Sequence, residues 1–369
     1  MPQTKKIIFA GGGTGGHIFP ALNMARALKE ILDVEILFFG TKRGLESRII
    51  PKAGFTIKFI PVAGFQRRLT LKNLSFPWKL YKSMQFTRKI LNEFKPDLVV
   101  GTGGYVMGPV LKTAQKMRIP TILQEQNSYP GVTTRLLAKK AKMVFLAYAE
   151  AKKFLHTNGK VLVTGNPIQV EEVTEGSETL LQEFGLLPEK KVILVVGGSQ
   201  GAASINKAIK NILSDTGLPE GYQMLWQTGQ GAHQEVMSFV KNKNVTNVAV
   251  VPFINGMHRA YKLTDFVICR AGAMTLSELM AAGLAAILVP YPHAAADHQY
   301  KNADALREKG AAMVIRDESG MQEKLAKALS MLVMDTQKKE TMSTNMAELH
   351  IKDTFEQIIK GIREVLGEE

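Results

Sequence analysis

Apolar runs alternate with helical periodicity along the whole of this chain. Runs rich in Val, Ile, Leu and Phe lie near residues 5–10, 34–40, 56–61, 97–101, 120–124, 142–147 and 160–164. They recur near 191–196, 223–228, 248–252, 265–269, 285–289 and 311–315. Most are continuous rather than alternating, the pattern of strands buried on both faces of a parallel sheet. Between most of them apolar residues fall three and four apart, as in Ile18, Leu22, Ala25 and Leu28 with Arg26 and Lys29 between. Strands alternating with helices predict an α/β protein with parallel sheets covered on both sides. Beyond residue 320 only helical patterns remain, and residues 351–365 are expected to form a terminal helix that returns to the first domain.

The turns that follow the strands carry the chemistry. Directly behind Ile7, Ile8, Phe9 and Ala10 comes Gly-Gly-Gly-Thr-Gly-Gly-His, residues 11–17. Glycine lets a ligand approach the main chain, and the helix that follows offers unpaired N–H groups and a positive dipole end. Together they make an anion site, with phosphate the usual guest and His17 a titratable group at its mouth. The construction recurs after residues 191–196, where Gly197, Gly198, Ser199, Gln200 and Gly201 precede a helix carrying Ile205, Ala208, Ile209 and Ile212. Two strand–loop–helix units half a chain apart predict two similar domains, residues 1–165 with 349–369 and residues 166–348, with a linker at 169–177. Neither loop has the glycine spacing of a dinucleotide fingerprint, and neither is followed by the lysine of a P-loop. The strand at 34–40 also lacks the terminal acid that a nicotinamide cofactor's ribose would require.

In open α/β sheets ligands gather at the carboxyl ends of strands. Those positions here hold the glycine turn at 101–109 with Tyr105, the polar run Gln124, Glu125, Gln126 and Asn127, then Phe253, Ile254 and Asn255. Further on come Arg270 to Glu278, and Asp297, His298 and Gln299. Glu278, about two turns into its helix, suits the two hydroxyls of a ribose, although a surface helix carboxylate would look the same. There is no Asp-x-Asp pair and no Cys/His spacing suited to zinc, so a diphosphate leaving group would rely on N–H groups and helix ends.

Charge adds a further element. The chain has 369 residues, a net charge of +14 and a single cysteine, Cys269, which sits in an apolar run and reads as core. One thiol excludes an internal disulfide and fits a reducing compartment. The first apolar run is too short for a secretory signal, and no run approaches the ~20 residues that span a bilayer. A soluble, cytosolic protein is the expectation. Residues 1–165 carry 27 Lys and Arg against 8 Asp and Glu, whereas residues 166–369 carry 20 against 25. Residues 64–91 contain no acid, but hold Arg67, Arg68, Lys72, Lys79, Lys82, Arg88 and Lys89 among Phe65, Phe76, Trp78, Tyr81 and Phe86. Cations mixed with aromatics suit an anionic membrane surface. Nucleic acid would also accept them, and so would an amphipathic helix whose apolar face is simply core. A nucleic-acid reading leaves the polar loops of the second half without a purpose.

Taken in order, residues 11–17, Gly103-Gly-Tyr-Val106, Glu125-Gln-Asn127, Thr164-Gly-Asn-Pro167, 197–202, Arg270-Ala-Gly-Ala273 with Thr275 and Glu278, and Asp297-His-Gln299 resemble one family. It is the bacterial peptidoglycan GlcNAc transferases, inverting members of the GT-B glycosyltransferases. The resemblance spans nearly the whole chain. It implies two Rossmann-like domains facing across a cleft, and transfer of GlcNAc from UDP-GlcNAc to the C4 hydroxyl of the muramoyl sugar of lipid I, giving lipid II. It also implies roles. His17 is the leading base, with Glu125 the next candidate. Gly12 to Gly16 bind the acceptor diphosphate, and Tyr105, Glu125 and Asn127 line the acceptor side. Thr14, Gly15, Gly16 and Asn127 are expected to reach the donor as well. Ser199 contacts the donor phosphate, the Ile254 main chain the uracil, and Phe253 and Arg270 the nucleotide. Glu278 takes the ribose, and His298 and Gln299 the sugar. Arg67, Arg68, Trp78, Lys79 and Lys82 hold the anionic inner face of the cytoplasmic membrane. No cofactor and no metal are expected, nucleic acid is not an expected partner, and other cell-wall or division proteins are. One departure is Gln169, where the family often has arginine. Close rivals are a lipid glucosyltransferase and a UDP-GlcNAc 2-epimerase of the same fold.

Overall fold

The computed structural model describes residues 4–62, 76–198 and 201–368. The chain divides into two compact units, Met1–Gln169 with Ile351–Glu369, and Val170–His350. The first is built on β1 (Lys5–Gly11), β2 (Val34–Gly40), β3 (Thr56–Phe59), β4 (Leu98–Gly103), β5 (Thr121–Glu125), β6 (Met143–Leu146) and β7 (Lys160–Val163). Among the described residues these form one parallel sheet in the order β3-β2-β1-β4-β5-β6-β7. The second unit has β8 (Lys191–Val196), β9 (Tyr222–Gln227), β10 (Val248–Val251), β11 (Thr264–Cys269), β12 (Ala286–Leu288) and β13 (Ala312–Val314). These are parallel in the order β10-β9-β8-β11-β12-β13.

Alternate residues of β1 feed opposite layers, as the pleat requires. Ile8 and Ala10 pack with Val106, Val110 and Leu111 on one side. Ile7 and Phe9 pack with Ile18, Leu22 and Ala25 on the other. The terminal helix, Thr354–Leu366, covers that second side with Ile358, Ile359 and Ile362. It is anchored where Thr354 Oγ1 donates to the Thr164 carbonyl at 2.6 Å. The turn at 165–167 is also held in this unit, because Asn23 Nδ2 donates to the Pro167 carbonyl at 2.8 Å. Cys269 lies in the core of the second sheet, where burial foremost and then the Glu278 charge push its thiol up to about 12.

The helix Phe76–Phe94 decides how its aromatics are used. Ser83, Thr87, Ile90 and Leu91 are buried, so this face meets the body of the unit. Trp78, Tyr81 and Phe86 face outward, with Trp78 60% exposed. They do not supply core.

In each sheet the strand order reverses once, between β1 and β4 and between β8 and β11. Successive crossover helices leave on opposite sides there, opening a crevice at the carboxyl ends of the strands. Both glycine loops lie at these points.

Candidate functional site

In the first unit the turn after β1 runs directly into the helix Gly15–Ile31. His17 therefore lies in the first turn, over the reversal point. Its Nδ1 is 3.1 Å from the Gly12 carbonyl and 3.2 Å from Thr14 Oγ1. The chain after β4 is shaped to admit the ring: a Cβ on Gly103 would lie 2.4 Å from His17 Cδ2, and Gly103 has φ +114. Only glycine meets both demands. From β4 itself, Thr102 Oγ1 donates to the His17 carbonyl at 2.7 Å. Tyr105, in the first turn of the helix Gly104–Lys116, lays its ring beside Gly13 and is 37% exposed. The structure thus brings Gly12, Gly13, Thr14, Gly15, Gly16, His17 and Tyr105 together.

Glu125 and Asn127 lie one strand further, at the end of β5. The Glu125 carboxylate is buried and already accepts three N–H groups: Asn127 N at 3.1 Å, Asn127 Nδ2 at 2.9 Å and Gly131 N at 3.0 Å. It shapes its own loop. Between this loop and His17, Gln126 Nε2 donates to the Thr102 carbonyl at 2.7 Å, and Asn166 Nδ2 to the Gln126 carbonyl at 3.2 Å. Gln169 accepts from Arg26 at 3.4 Å.

Ser199, like Arg67 and Arg68, falls outside the described residues. The flanking turn is held from β9, where Gln227 Nε2 donates to the Gly198 carbonyl at 3.0 Å. The same amide's oxygen accepts the Ile254 N–H at 2.9 Å. Ile254 is buried with its N–H thus committed, while neighbouring Phe253 is 49% exposed. Arg270 is clamped: it donates to the Val289 and Pro290 carbonyls at 3.0 and 3.2 Å and to Ser204 Oγ at 2.8 Å. It also pairs with Asp317 at 2.8 Å.

Glu278 lies on the helix Ala273–Ala282, half-buried, and accepts from the Tyr261 hydroxyl at 3.1 Å. Burial pushes its carboxyl above the usual range, and the Tyr261 hydrogen bond works against this. Burial, and next the Glu278 charge, pushes the Tyr261 phenol well up. A carboxylate held on a rigid helix with one partner is suited to hydroxyl donors. His298 and Gln299 open the helix His298–Glu308. His298 Nδ1 meets the Ala295 carbonyl at 2.8 Å, and Gln299 Oε1 accepts the Tyr291 N–H at 2.9 Å. Ala296 and Asp297 before them both lie in the left-handed region at φ +55. Two such non-glycine residues in succession mark a strained turn.

Sequence reasoning missed Gln227, Tyr261, Asp317 and Glu46. Glu46 is buried beneath the first glycine loop, where it accepts the Gly13 N–H at 3.1 Å. Position offered a signal for three of them, since Gln227, Asp317 and Glu46 each follow or end a strand at its carboxyl side.

On the outer face of the helix Phe76–Phe94, Trp78 and Tyr81 stack with centroids 6.0 Å apart, and Lys82 Nζ lies 5.1 Å over the Trp78 ring. Lys79 is exposed beside them. Among the described residues no helix is long and apolar enough to cross a membrane.

Residues 7–146 match the glycosyltransferase family 28 N-terminal domain and residues 192–358 the C-terminal domain of that family. The chain is 43% identical over 366 residues to a Phocaeicola vulgatus protein, covering 98% of this chain and 96% of that one. It is 39% identical over 367 residues to one from Desulforamulus reducens, covering 98% and 99%. Both are named UDP-N-acetylglucosamine--N-acetylmuramyl-(pentapeptide) pyrophosphoryl-undecaprenol N-acetylglucosamine transferase. Among solved structures, MurG of Acinetobacter baumannii superposes with a TM-score of 0.79 at 28% identity, over 98% of this chain and 99% of that one. The UDP-GlcNAc 2-epimerase of Neisseria meningitidis reaches 0.68 at 13% identity, over 98% and 100%, and shares the fold alone. With both domain models matched in order and relatives of this similarity over its whole length, the chain belongs to glycosyltransferase family 28 and has the GT-B fold.

Proposed function

We infer that this protein is the UDP-GlcNAc-dependent transferase of its family. It moves GlcNAc from UDP-GlcNAc to the C4 hydroxyl of the muramoyl sugar of lipid I and forms lipid II. The observation that carries the reading is the presence of two different sites at the two strand-order reversals: a histidine over a glycine loop in one unit, and in the other a glycine loop after β8 with a helix-borne carboxylate after the neighbouring strand β11. In this reading UDP sits on the second unit. Glu278 accepts the ribose hydroxyls, the Ile254 carbonyl meets the uracil N–H, Phe253 covers the base, and Ser199 donates to phosphate. Arg270 contributes positive potential from its clamped position, and His298 and Gln299 take the sugar. The leaving diphosphate is stabilised by N–H groups and the start of the helix Ala203–Asp215, with no cation required.

The acceptor diphosphate is taken by the first glycine loop. Gly13 contributes its compact left-handed backbone rather than its N–H, because Glu46 holds that hydrogen. The remaining N–H groups of Thr14, Gly15 and Gly16 at the helix start are the donors. Tyr105 and Asn127 bind the acceptor, and Thr14, Gly15, Gly16 and Asn127 also take part in donor binding. His17 removes the proton of the C4 hydroxyl as it attacks C1 from the face opposite UDP, which inverts the anomeric centre. We also propose that Trp78, Lys79, Lys82, Arg67 and Arg68 rest on the anionic inner face of the cytoplasmic membrane, where the lipid acceptor is found.

The test of His17 is kinetic. His17→Ala should lower kcat by about 10²–10⁴-fold with little change in the donor KM. A raised acceptor KM at near-normal kcat would make His17 a binding residue and Glu125 the next base to examine.

A further inference from the structure

Glu46 opens the short helix Glu46–Lys52 behind β2. Its side chain is 1% exposed. Both oxygens are committed: Oε1 accepts from Thr41 N at 2.9 Å and Thr41 Oγ1 at 2.8 Å, and Oε2 accepts from Gly13 N at 3.1 Å. The surrounding backbone is built around this carboxylate. A Cβ on Gly44 would lie 2.2 Å from either oxygen, and one on Gly12 2.7 Å from Oε1.

The N–H held by Glu46 and the carbonyl facing His17 belong to one peptide unit, that between Gly12 and Gly13. In a trans peptide these two groups point in opposite directions. Fixing the N–H on Glu46 therefore aims the Gly12 oxygen, which lies 3.1 Å from His17 Nδ1. A carbonyl oxygen only accepts, so the tautomer that satisfies this contact has its proton on Nδ1 and its lone pair on Nε2, and the Thr14 hydroxyl at 3.2 Å is able to accept from the same N–H. The buried carboxylate also polarises the peptide it holds, which strengthens the next bond in the chain.

We propose that Glu46 is a positioning residue for His17: through the Gly12–Gly13 peptide it sets the imidazole tautomer that leaves Nε2 basic. This rests on the reading of His17 as the acceptor-side base. A glutamine at 46 cannot accept from Gly13 N, Thr41 N and Thr41 Oγ1 together. Its amide oxygen keeps more bonds on the two Thr41 donors than on Gly13, and that flip sets its NH2 against the Gly13 N–H, donor against donor, and releases the peptide.

Nitrogen-15 NMR of histidine-labelled protein reads the tautomer directly. In the wild type, neutral His17 should show a protonated Nδ1 and an unprotonated Nε2. In Glu46→Gln it should become a mixture, and kcat should fall about 10- to 100-fold, the scale of loss seen when a metal-bound histidine loses its orienting hydrogen-bond partner, with the UDP-GlcNAc KM unchanged. An Nε2–H tautomer in the wild type overturns the proposal, and that measurement needs no variant to fold. An unchanged tautomer in folded Glu46→Gln also overturns it. If the tautomer shifts in Glu46→Gln while His17→Ala keeps its kcat, the positioning role stands and the base assignment falls. If His17→Ala loses kcat while Glu46→Gln keeps the tautomer, the base assignment stands and the role of Glu46 falls.

Discussion

Replacing Glu278 with glutamine should weaken nucleotide binding without weakening the fold. Burial raises the Glu278 carboxyl above its usual range. A carboxyl whose folded pKa is raised is favoured by the fold in its protonated form. That contribution is full below the unfolded carboxylate range and is lost as the pH rises through the raised value. Neutral glutamine of the same shape escapes the loss and still accepts from the Tyr261 hydroxyl, now 3.1 Å from Oε2. Glu278→Gln should therefore melt at or above the wild-type temperature at neutral pH. Binding moves the other way. Hydrogen bonds to a charged acceptor are worth about 1.5–3 kcal/mol against about 0.5–1.5 for a neutral one, so two ribose hydroxyls should lose about 2–3 kcal/mol, roughly 30- to 140-fold in Kd. Hydroxyl donors also stabilise the anion, so the pKa in the complex lies below that of the free protein. UDP binding then releases a proton when the pH lies between the two, and affinity falls about tenfold per pH unit below the raised value. Calorimetry with UDP in buffers of different ionisation enthalpy measures both the affinity and the proton. Unchanged UDP affinity in Glu278→Gln, or affinity in the wild type that stays flat as the pH drops, would refute the reasoning.

Reversing Arg67, Arg68, Lys79 and Lys82 to Glu should abolish binding to anionic vesicles, since each cation near such a surface contributes about 1 kcal/mol. UDP affinity should be unaffected, and equal vesicle flotation of both proteins would contradict the membrane role. Excess EDTA should leave transferase turnover unchanged, because the leaving diphosphate is given N–H groups and a helix start; a loss restored by a divalent ion would contradict this. Gly104→Ala places a methyl 2.3 Å from the Gly12 carbonyl at φ +74, against the group that holds His17. It should lower kcat and cost more than the about 1–2 kcal/mol of the left-handed backbone alone, read by turnover and denaturant melts, with UDP affinity retained.

The strands were legible because most of these parallel strands are buried on both faces and so read as continuous apolar runs, as in Ile7 to Ala10 and Val192 to Val196. The loops at their ends stood out because glycine and polar residues cluster there. The outward face of residues 78–86 was not decided by sequence, since the same spacing serves a buried stripe. Its resolution came from Ser83 and Thr87, small polar residues that occupy the inner face in place of the aromatics. For Glu46 the sequence offered only its place after β2. Its meaning lies in the contact with Gly13, made only once β1 and β2 pair side by side. The partnership of Arg270 with Asp317 likewise joins the ends of distant strands. The left-handed pair at Ala296 and Asp297 runs against its local sequence, since Ala294, Ala295 and Ala296 favour helix.

The central claim is acceptor-dependent, inverting transfer of GlcNAc. The direct measurement incubates the protein with UDP-GlcNAc, with and without a lipid I analogue, and follows UDP release together with the mass and anomeric configuration of the product. Release that depends on the analogue, with one GlcNAc added in β linkage to the muramoyl C4 hydroxyl, is the result expected. UDP release or conversion of the donor sugar that is indifferent to the analogue, as an epimerase would give, would contradict it.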